Sequence, residues 1–289
     1  MQRLSYLKPQ TLEEALGYLN EYGEKVKPYA GGTDLMVQLR EHTSKLKDVE
    51  YLMDVQYLPE LRGIEVKDDC ISIGCMTSHT EVNESPVLRE HVPFLSIASS
   101  TVGSTQVRNK GTVGGNICNA SPAADTLSPF VALNARLTVV SVDGTREVLV
   151  KEAMEKAGKL KFAPNEMATR ITIDRLDGWH TAFIKLGRRK ALAISRMNCA
   201  VALKLEDGVI ADARIAPGCV FATPDRVEKA EELVKGQKPS AELFEKAGLA
   251  VSEEMIARTG IRWSTEYKKP VIEALIQRAL CRAAGLPED

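Results

Sequence analysis

Apolar residues recur along the chain with a period that switches between helix and strand spacing, and each switch marks an element. Leu12, Ala15, Leu16 and Leu19 form a helical stripe behind Thr11 and Glu14, a T-x-x-E capping box, and Gly23 stands at the C′ position that ends it. Short apolar runs at 51–55 and 70–73 predict strands separated by a turn region around Pro59. Thr77 or Ser78 then opens a helical stretch, and Pro86 and Pro93 begin two more helices, the second running toward Val102. Residues 137–142 and 147–150 flank Asp143-Gly144-Thr145, a hairpin signal because Asp-Gly tolerates the positive φ of a tight turn. The lysine-rich segment 151–161 predicts a solvated helix face, and 170–173 alternates as a strand.

The polar segment 174–180 is the best domain boundary, placed near residue 177. Beyond it, apolar runs at 182–186, 200–205 and 209–215, the last two joined at Asp207-Gly208, predict a three-stranded antiparallel sheet. Thr223 with Pro224 opens a helix, Ser240 caps another, and a third runs over 266–284 before Gly285 and Pro287 end it. Three strands followed by three helices give a compact α+β domain.

Small residues and turn formers crowd into 101–135. Gly111, Gly114 and Gly115 there permit positive φ, and successive N–H groups in such a turn form a concave anion site. Ser121 followed by Pro122 reads as an N-cap and first residue of a helix through Leu127, Val131 and Leu133, its positive end turned toward the loop. A second such loop, Tyr29-Ala30-Gly31-Gly32-Thr33-Asp34, joins a short apolar run to Leu35, Met36, Val37 and Leu39, with Thr33 or Asp34 as helix cap. Neither loop is a G-x-G-x-x-G or a Walker A, and each alone is open to reading as a structural turn. Together they suggest a ligand with two phosphates held from two sides.

Composition narrows the chemistry. With 289 residues, a formal net charge of −1 and no basic face in the sequence, the chain lacks the electrostatic footprint of a nucleic-acid binder. No segment has the uninterrupted apolar length of a signal peptide or membrane span, so a soluble cytoplasmic protein is expected. The six cysteines contain no C-x-x-C and read as reduced, mostly buried thiols. The four histidines show no metal spacing and are expected in surface or capping roles; no metal site is expected. No Ser-His-Asp set or spaced carboxylate pair supports hydrolysis or acyl transfer, whereas a flavin brings its own electron chemistry and needs none of these.

Ala30-Gly31-Gly32-Thr33-Asp34, Thr112-Val113-Gly114-Gly115-Asn116 and Ala120-Ser121-Pro122-Ala123-Ala124-Asp125 together resemble the FAD-binding subunit of the xanthine dehydrogenase and carbon monoxide dehydrogenase family, the molybdenum hydroxylases. The resemblance covers essentially the whole chain. It implies an α+β fold: a two-part FAD-binding domain of the PCMH type over 1–176, then a small domain like the CO dehydrogenase flavoprotein C-terminal domain over 177–289. By match, the backbone from Pro28 through Tyr29, Ala30, Gly31, Gly32, Thr33 and Asp34 to Leu35 cradles the diphosphate of FAD. Gly111, Thr112, Gly114, Gly115 and Asn116 contribute from the second loop, Asp125 holds the sugar end, and Lys185 lies at the flavin. Val102, Ser121, Ile171 and Ile194 complete the cofactor set, although Val102 stands where some members have an aromatic. Helix capping for Asp125 and a solvated strand position for Lys185 remain the structural alternatives.

The same resemblance implies partners: a [2Fe-2S] iron–sulfur subunit and a molybdopterin subunit, with NAD or another soluble acceptor taking the electrons. A branch that reduces aromatic thioesters carries a cysteine-rich insert after the central motif, and 116–136 here offers only Cys118. In the family the loop corresponding to 187–195 lies over the flavin, so Arg188, Arg189 or Lys190 is expected to steer a phosphate-bearing acceptor, with a basic surface turn as the alternative. Two other readings stay open, a self-contained FAD oxidase or reductase and a non-enzymatic nucleotide-binding module.

Overall fold

A computed structural model of the chain describes residues 3–288. Strand β1 (Ser5–Leu7) leads through helix α1 (Leu12–Tyr22) to β2 (Val26–Tyr29), and α2 (Leu35–Arg40) follows before β3 (Tyr51–Asp54). Both β1 and β2 pair with β3 in parallel, giving the sheet order β1-β3-β2. Parallel neighbours need crossovers, and the two helices supply them. The α1 cap is half a box: Thr11 Oγ1 accepts from the Glu14 N–H at 3.2 Å, while the Glu14 carboxylate takes the Gln10 N–H at 2.7 Å.

A second sheet has the order β4-β5-β10-β6-β7 and is antiparallel throughout. Its first strands are β4 (Ile64–Val66) and β5 (Cys70–Gly74). Six short helices then intervene: α3 (His79–Glu84), α4 (Pro86–His91), α5 (Pro93–Ser100), α6 (Thr105–Lys110), α7 (Val113–Cys118) and α8 (Leu127–Ala132). Ser78 and Glu81 make a complete capping box for α3, and Pro86 and Pro93 each occupy the first turn of a helix, where a missing N–H costs nothing. The hairpin of β6 (Arg136–Ser141) and β7 (Gly144–Leu149) turns at Asp143-Gly144.

The segment expected as a solvated helix is instead a single turn, α9 (Val150–Ala153), followed by a ribbon of β8 (Met154–Lys156) and β9 (Lys159–Leu160). Buried Val150, Ala153 and Met154 anchor it, and Gly158 at φ 75° turns the ribbon with its N–H on the Ala120 carbonyl at 2.8 Å. Central strand β10 (Met167–Asp174) closes this half.

The C-terminal half is a three-stranded antiparallel sheet, β11 (Trp179–Gly187), β12 (Ser195–Glu206) and β13 (Val209–Gly218), followed by α10 (Glu228–Val234), α11 (Ala241–Thr259) and α12 (Thr265–Ala284). The helix expected at Thr223-Pro224 starts later, at Glu228. Before it, the Val227 N–H is tied to the Ile215 carbonyl at 2.9 Å and the Glu231 carboxylate takes the Ile215 N–H at 2.8 Å, so the chain follows the sheet first.

Strand period explains how the halves join. Along β12, Cys199, Val201 and Leu203 face the C-terminal helices, whereas Ala200 and Ala202, with Phe183 and Ala216, enter the core that also holds Ile71, Phe94, Phe130 and Leu137. Alanines on that face let α5 and α8 approach closely.

Candidate cofactor-binding site

The first glycine loop leaves β2 at Tyr29. Gly32 sits at φ 71°, a left-handed conformation that favours glycine, and the Tyr29 ring packs against it: an added Cβ would lie 2.5 Å from the ring edge. Gly31 is bare for another reason, since its Cβ would stand 1.9 Å from the Lys110 carbonyl oxygen. The two loops, 80 positions apart in the chain, therefore touch backbone to backbone. Among the described residues none accepts from the N–H groups of Gly31, Gly32, Thr33 and Asp34. Four consecutive free donors ahead of a helix are the arrangement that takes an anion. Neither Thr33 nor Asp34 caps α2 with its side chain, contrary to expectation; the Asp34 carboxylate instead accepts from Asn119 Nδ2 at 3.1 Å, across to the second loop, and burial raises its pKa.

The second loop departs from the sequence reading. Gly111 has φ −64°, Gly114 and Gly115 lie inside α7, and none of the three takes positive φ. Their bareness serves close packing: a Cβ on Gly114 would sit 2.4 Å from the Cys75 Cβ, and one on Gly115 2.9 Å from Thr112 Oγ1. The amides are spent internally. Val113 N–H bonds the Thr77 carbonyl at 2.9 Å, Gly114 N–H the Cys75 carbonyl at 3.0 Å, and Gly115 N–H the Thr112 hydroxyl that caps α7, also at 3.0 Å. This loop offers side chains rather than amides. Asn116 Oδ1 accepts from Thr126 Oγ1 at 2.7 Å, which leaves its NH2 available.

Helix α8 begins at Leu127 and not at Pro122. Ser121 Oγ accepts from the Ala123 N–H at 3.3 Å and its carbonyl from the Ala124 N–H at 3.0 Å, a local turn that competes with helix. That turn delivers Asp125, which caps no helix, to the junction of the two halves. Its Oδ2 accepts from Lys185 Nζ at 2.6 Å and its Oδ1 from Ser195 Oγ at 2.5 Å, while Lys185 also donates to the Thr101 carbonyl at 2.9 Å. Burial raises the Asp125 pKa, and the hydrogen bonds from Lys185 and Ser195 oppose that rise. Lys185 is thus a paired, largely buried cation and not a solvated strand residue. Val102 adjoins Thr101 at the same place.

Two sequence-matched positions fall elsewhere. Ile171 is fully buried in the core, opposite Ile73 and Leu137 on β10, so its side chain cannot reach a ligand. Ile194 is 79 % exposed, at the end of a loop in which Arg189 Nε and Nη2 both donate to the Leu192 carbonyl. Arg189 therefore staples its own loop, and Arg188 and Lys190 remain the outward cations. Sequence reasoning missed Ser195, the Thr101 carbonyl and Asn119, none of which belongs to a local pattern. It also expected surface or capping roles for the histidines; His79 stands at the start of α3 but is 2 % exposed, and its pKa falls to about 4, through burial first and the nearby Arg108 second.

A pyrophosphate fits the first loop: four unclaimed amides, held against the second loop by the contact of Gly31 with Lys110. Two family models match the chain, the FAD-binding domain in molybdopterin dehydrogenase over residues 2–175 and the CO dehydrogenase flavoprotein C-terminal domain over 182–283. The nicotinate dehydrogenase FAD-subunit of Eubacterium barkeri is 33 % identical over 285 residues, covering 96 % of this chain and 95 % of its own. The glyceraldehyde dehydrogenase medium chain of Sulfolobus acidocaldarius is 31 % identical, covering 97 % and 98 %. Among solved structures, carbon monoxide dehydrogenase from Hydrogenophaga pseudoflava superposes with a TM-score of 0.90 at 27 % identity, over 98 % of each chain. FAD is thus the cofactor of the chain, which belongs to the family of FAD-binding subunits of molybdenum hydroxylase complexes.

Proposed function

We propose that this chain receives electrons from the [2Fe-2S] clusters of a partner iron–sulfur subunit and delivers them, through its FAD, to NAD or another soluble acceptor. A separate molybdopterin subunit carries out substrate hydroxylation, and the complex is cytoplasmic; no helix among the described residues is long and apolar enough to cross a membrane. Residues 1–176 and 177–289 are its two domains. The observation that carries the reading is the run of free amides at Gly31–Asp34 pressed against the second loop. When bound, FAD supplies the redox chemistry, exchanging electrons with donor and acceptor. The chain's own residues do the rest: the first loop holds the diphosphate, Thr112 and Asn116 border it, and Asp125, fixed by Lys185 and Ser195, meets ligand hydroxyls at the domain junction. Arg188 and Lys190 favour approach of a phosphate-bearing acceptor.

Purification of the native complex tests the assignment of partners. The chain should copurify with iron–sulfur and molybdopterin subunits, and alone it should reduce dyes with NADH but hydroxylate no heterocycle. Hydroxylation by the isolated chain would contradict the division of labour.

A further inference from the structure

His79 opens α3, and its backbone N–H bonds the Gly111 carbonyl at 3.0 Å, which pins the residue to the second loop. Its ring is buried, and among the described residues Nδ1 has no hydrogen-bond partner. A buried, unpaired ring nitrogen is costly and calls for a reason. The ring carbon Cδ2, bonded to Nε2, lies 3.4 Å from the point a Cβ on Gly111 would occupy, and Thr33 Oγ1 lies 3.4 Å from that same point. Only a bare Cα fits at Gly111, since a Cβ would also meet the Val107 carbonyl oxygen at 2.9 Å, and His79 and Thr33 close on that same point next to the free amides of the first loop. Of the two neutral tautomers, the one protonated at Nε2 buries a bare lone pair at Nδ1, which costs less than burying an unsatisfied N–H. It also places a donor beside Cδ2, on the ring edge turned toward Gly111 and Thr33.

We propose that His79 is a further cofactor ligand, donating from Nε2–H to the phosphate bridge of the dinucleotide held by the Gly31–Asp34 amides. The proposal rests on the reading of the FAD site above and extends it to a residue outside both glycine motifs. Burial, with Arg108 nearby, holds the ring neutral across the range from about pH 5 upward, so the contact is a hydrogen bond to the anion and not an ion pair.

The test uses the full chain stripped of flavin and titrated with FAD and with riboflavin, followed by flavin fluorescence. His79→Leu should weaken FAD binding by about ten- to a hundredfold, the range of a hydrogen bond to a charged group. Riboflavin, which lacks phosphate, should bind the variant as it binds the wild type. His79→Gln keeps an N–H donor near the Nε2 position and should restore FAD affinity to within a few fold of wild type. Unchanged FAD affinity in His79→Leu, or equal weakening toward FAD and riboflavin, would overturn the proposal. A wild-type chain that binds no FAD would overturn the site itself, which separates the two failures. Should His79→Leu not fold, nitrogen-15 spectra of the wild-type histidines decide: an Nε2–H signal of His79 that shifts with FAD and not with riboflavin is expected, and an Nδ1–H tautomer contradicts the contact.

Discussion

Lys185 and Asp125 are both nearly buried, with side chains 11 % and 8 % exposed, so each is tolerable only because of the other. Lys185→Met leaves the carboxylate without its cation and should destabilise the flavin-free chain by about 3–5 kcal/mol in denaturant unfolding. Lys185→Met with Asp125→Asn removes both charges and should recover part of that loss; strictly additive losses would deny the coupling. His79 gives a pH signature. Its folded pKa, about 4, lies below the ordinary 6.5, so between these values the unfolded chain binds the proton more readily. The neutral ring's contribution is complete above about pH 6.5 and is lost as pH falls toward 4, amounting to about 3 kcal/mol. Unfolding of wild type and His79→Gln at stepped pH checks this: the difference between them should vary in that window and be flat above it. Motif and match singled out Asp125 and Lys185 in the sequence, though not their pairing with each other. Ser195 and His79 were not, because their roles depend on contacts with residues distant in the chain.

Elements set by local chemistry could be read directly: the helices that start at Pro86 and Pro93, the Ser78 and Ser240 caps, the Asp-Gly turns, and strands β5, β6, β7, β10 and the three of the C-terminal sheet. Glycines misled. Gly114 and Gly115 looked like a loop, yet Thr112 starts a helix through them, and the bare Cα of Gly114 allows its contact with Cys75. Gly114→Ala and Gly115→Ala should consequently differ. The first drives a Cβ into backbone and Cβ of Cys75 and should cost several kcal/mol with loss of flavin, as for severe overpacking. The second meets only the Thr112 hydroxyl and gains up to about 1 kcal/mol of helix propensity, so it should stay within about 1 kcal/mol of wild type. Thermal unfolding with and without FAD measures both; equal effects would deny the packing argument. In the loop before β12, Arg188→Ala with Lys190→Ala should slow NADH-driven dye reduction and flatten its salt dependence while flavin content holds, whereas Arg189→Ala frees the Leu192 carbonyl and loosens the loop.

Across the whole molecule, the halves share more than a linker. Arg214 donates to the Ala132 carbonyl at 2.9 Å and pairs with Asp174 at 3.1 Å, and Arg226 reaches Asn134 at 3.1 Å while paired with Glu231. Their common core and the Asp125–Lys185–Ser195 junction bring residues of both halves together beside the proposed cofactor site. Calorimetry should therefore show one transition, raised by FAD according to its affinity. Sequence could mark two domains but could not show that small alanines on one face of β12 would weld them. The direct test of electron transfer through this chain is anaerobic stopped-flow on the native complex, reduced with its own substrate before and after flavin removal. With FAD bound, the iron–sulfur absorbance should recover as acceptor is added; without it, the clusters should reduce normally and then stay reduced. Equal reoxidation of the clusters in flavin-free complex would contradict the account.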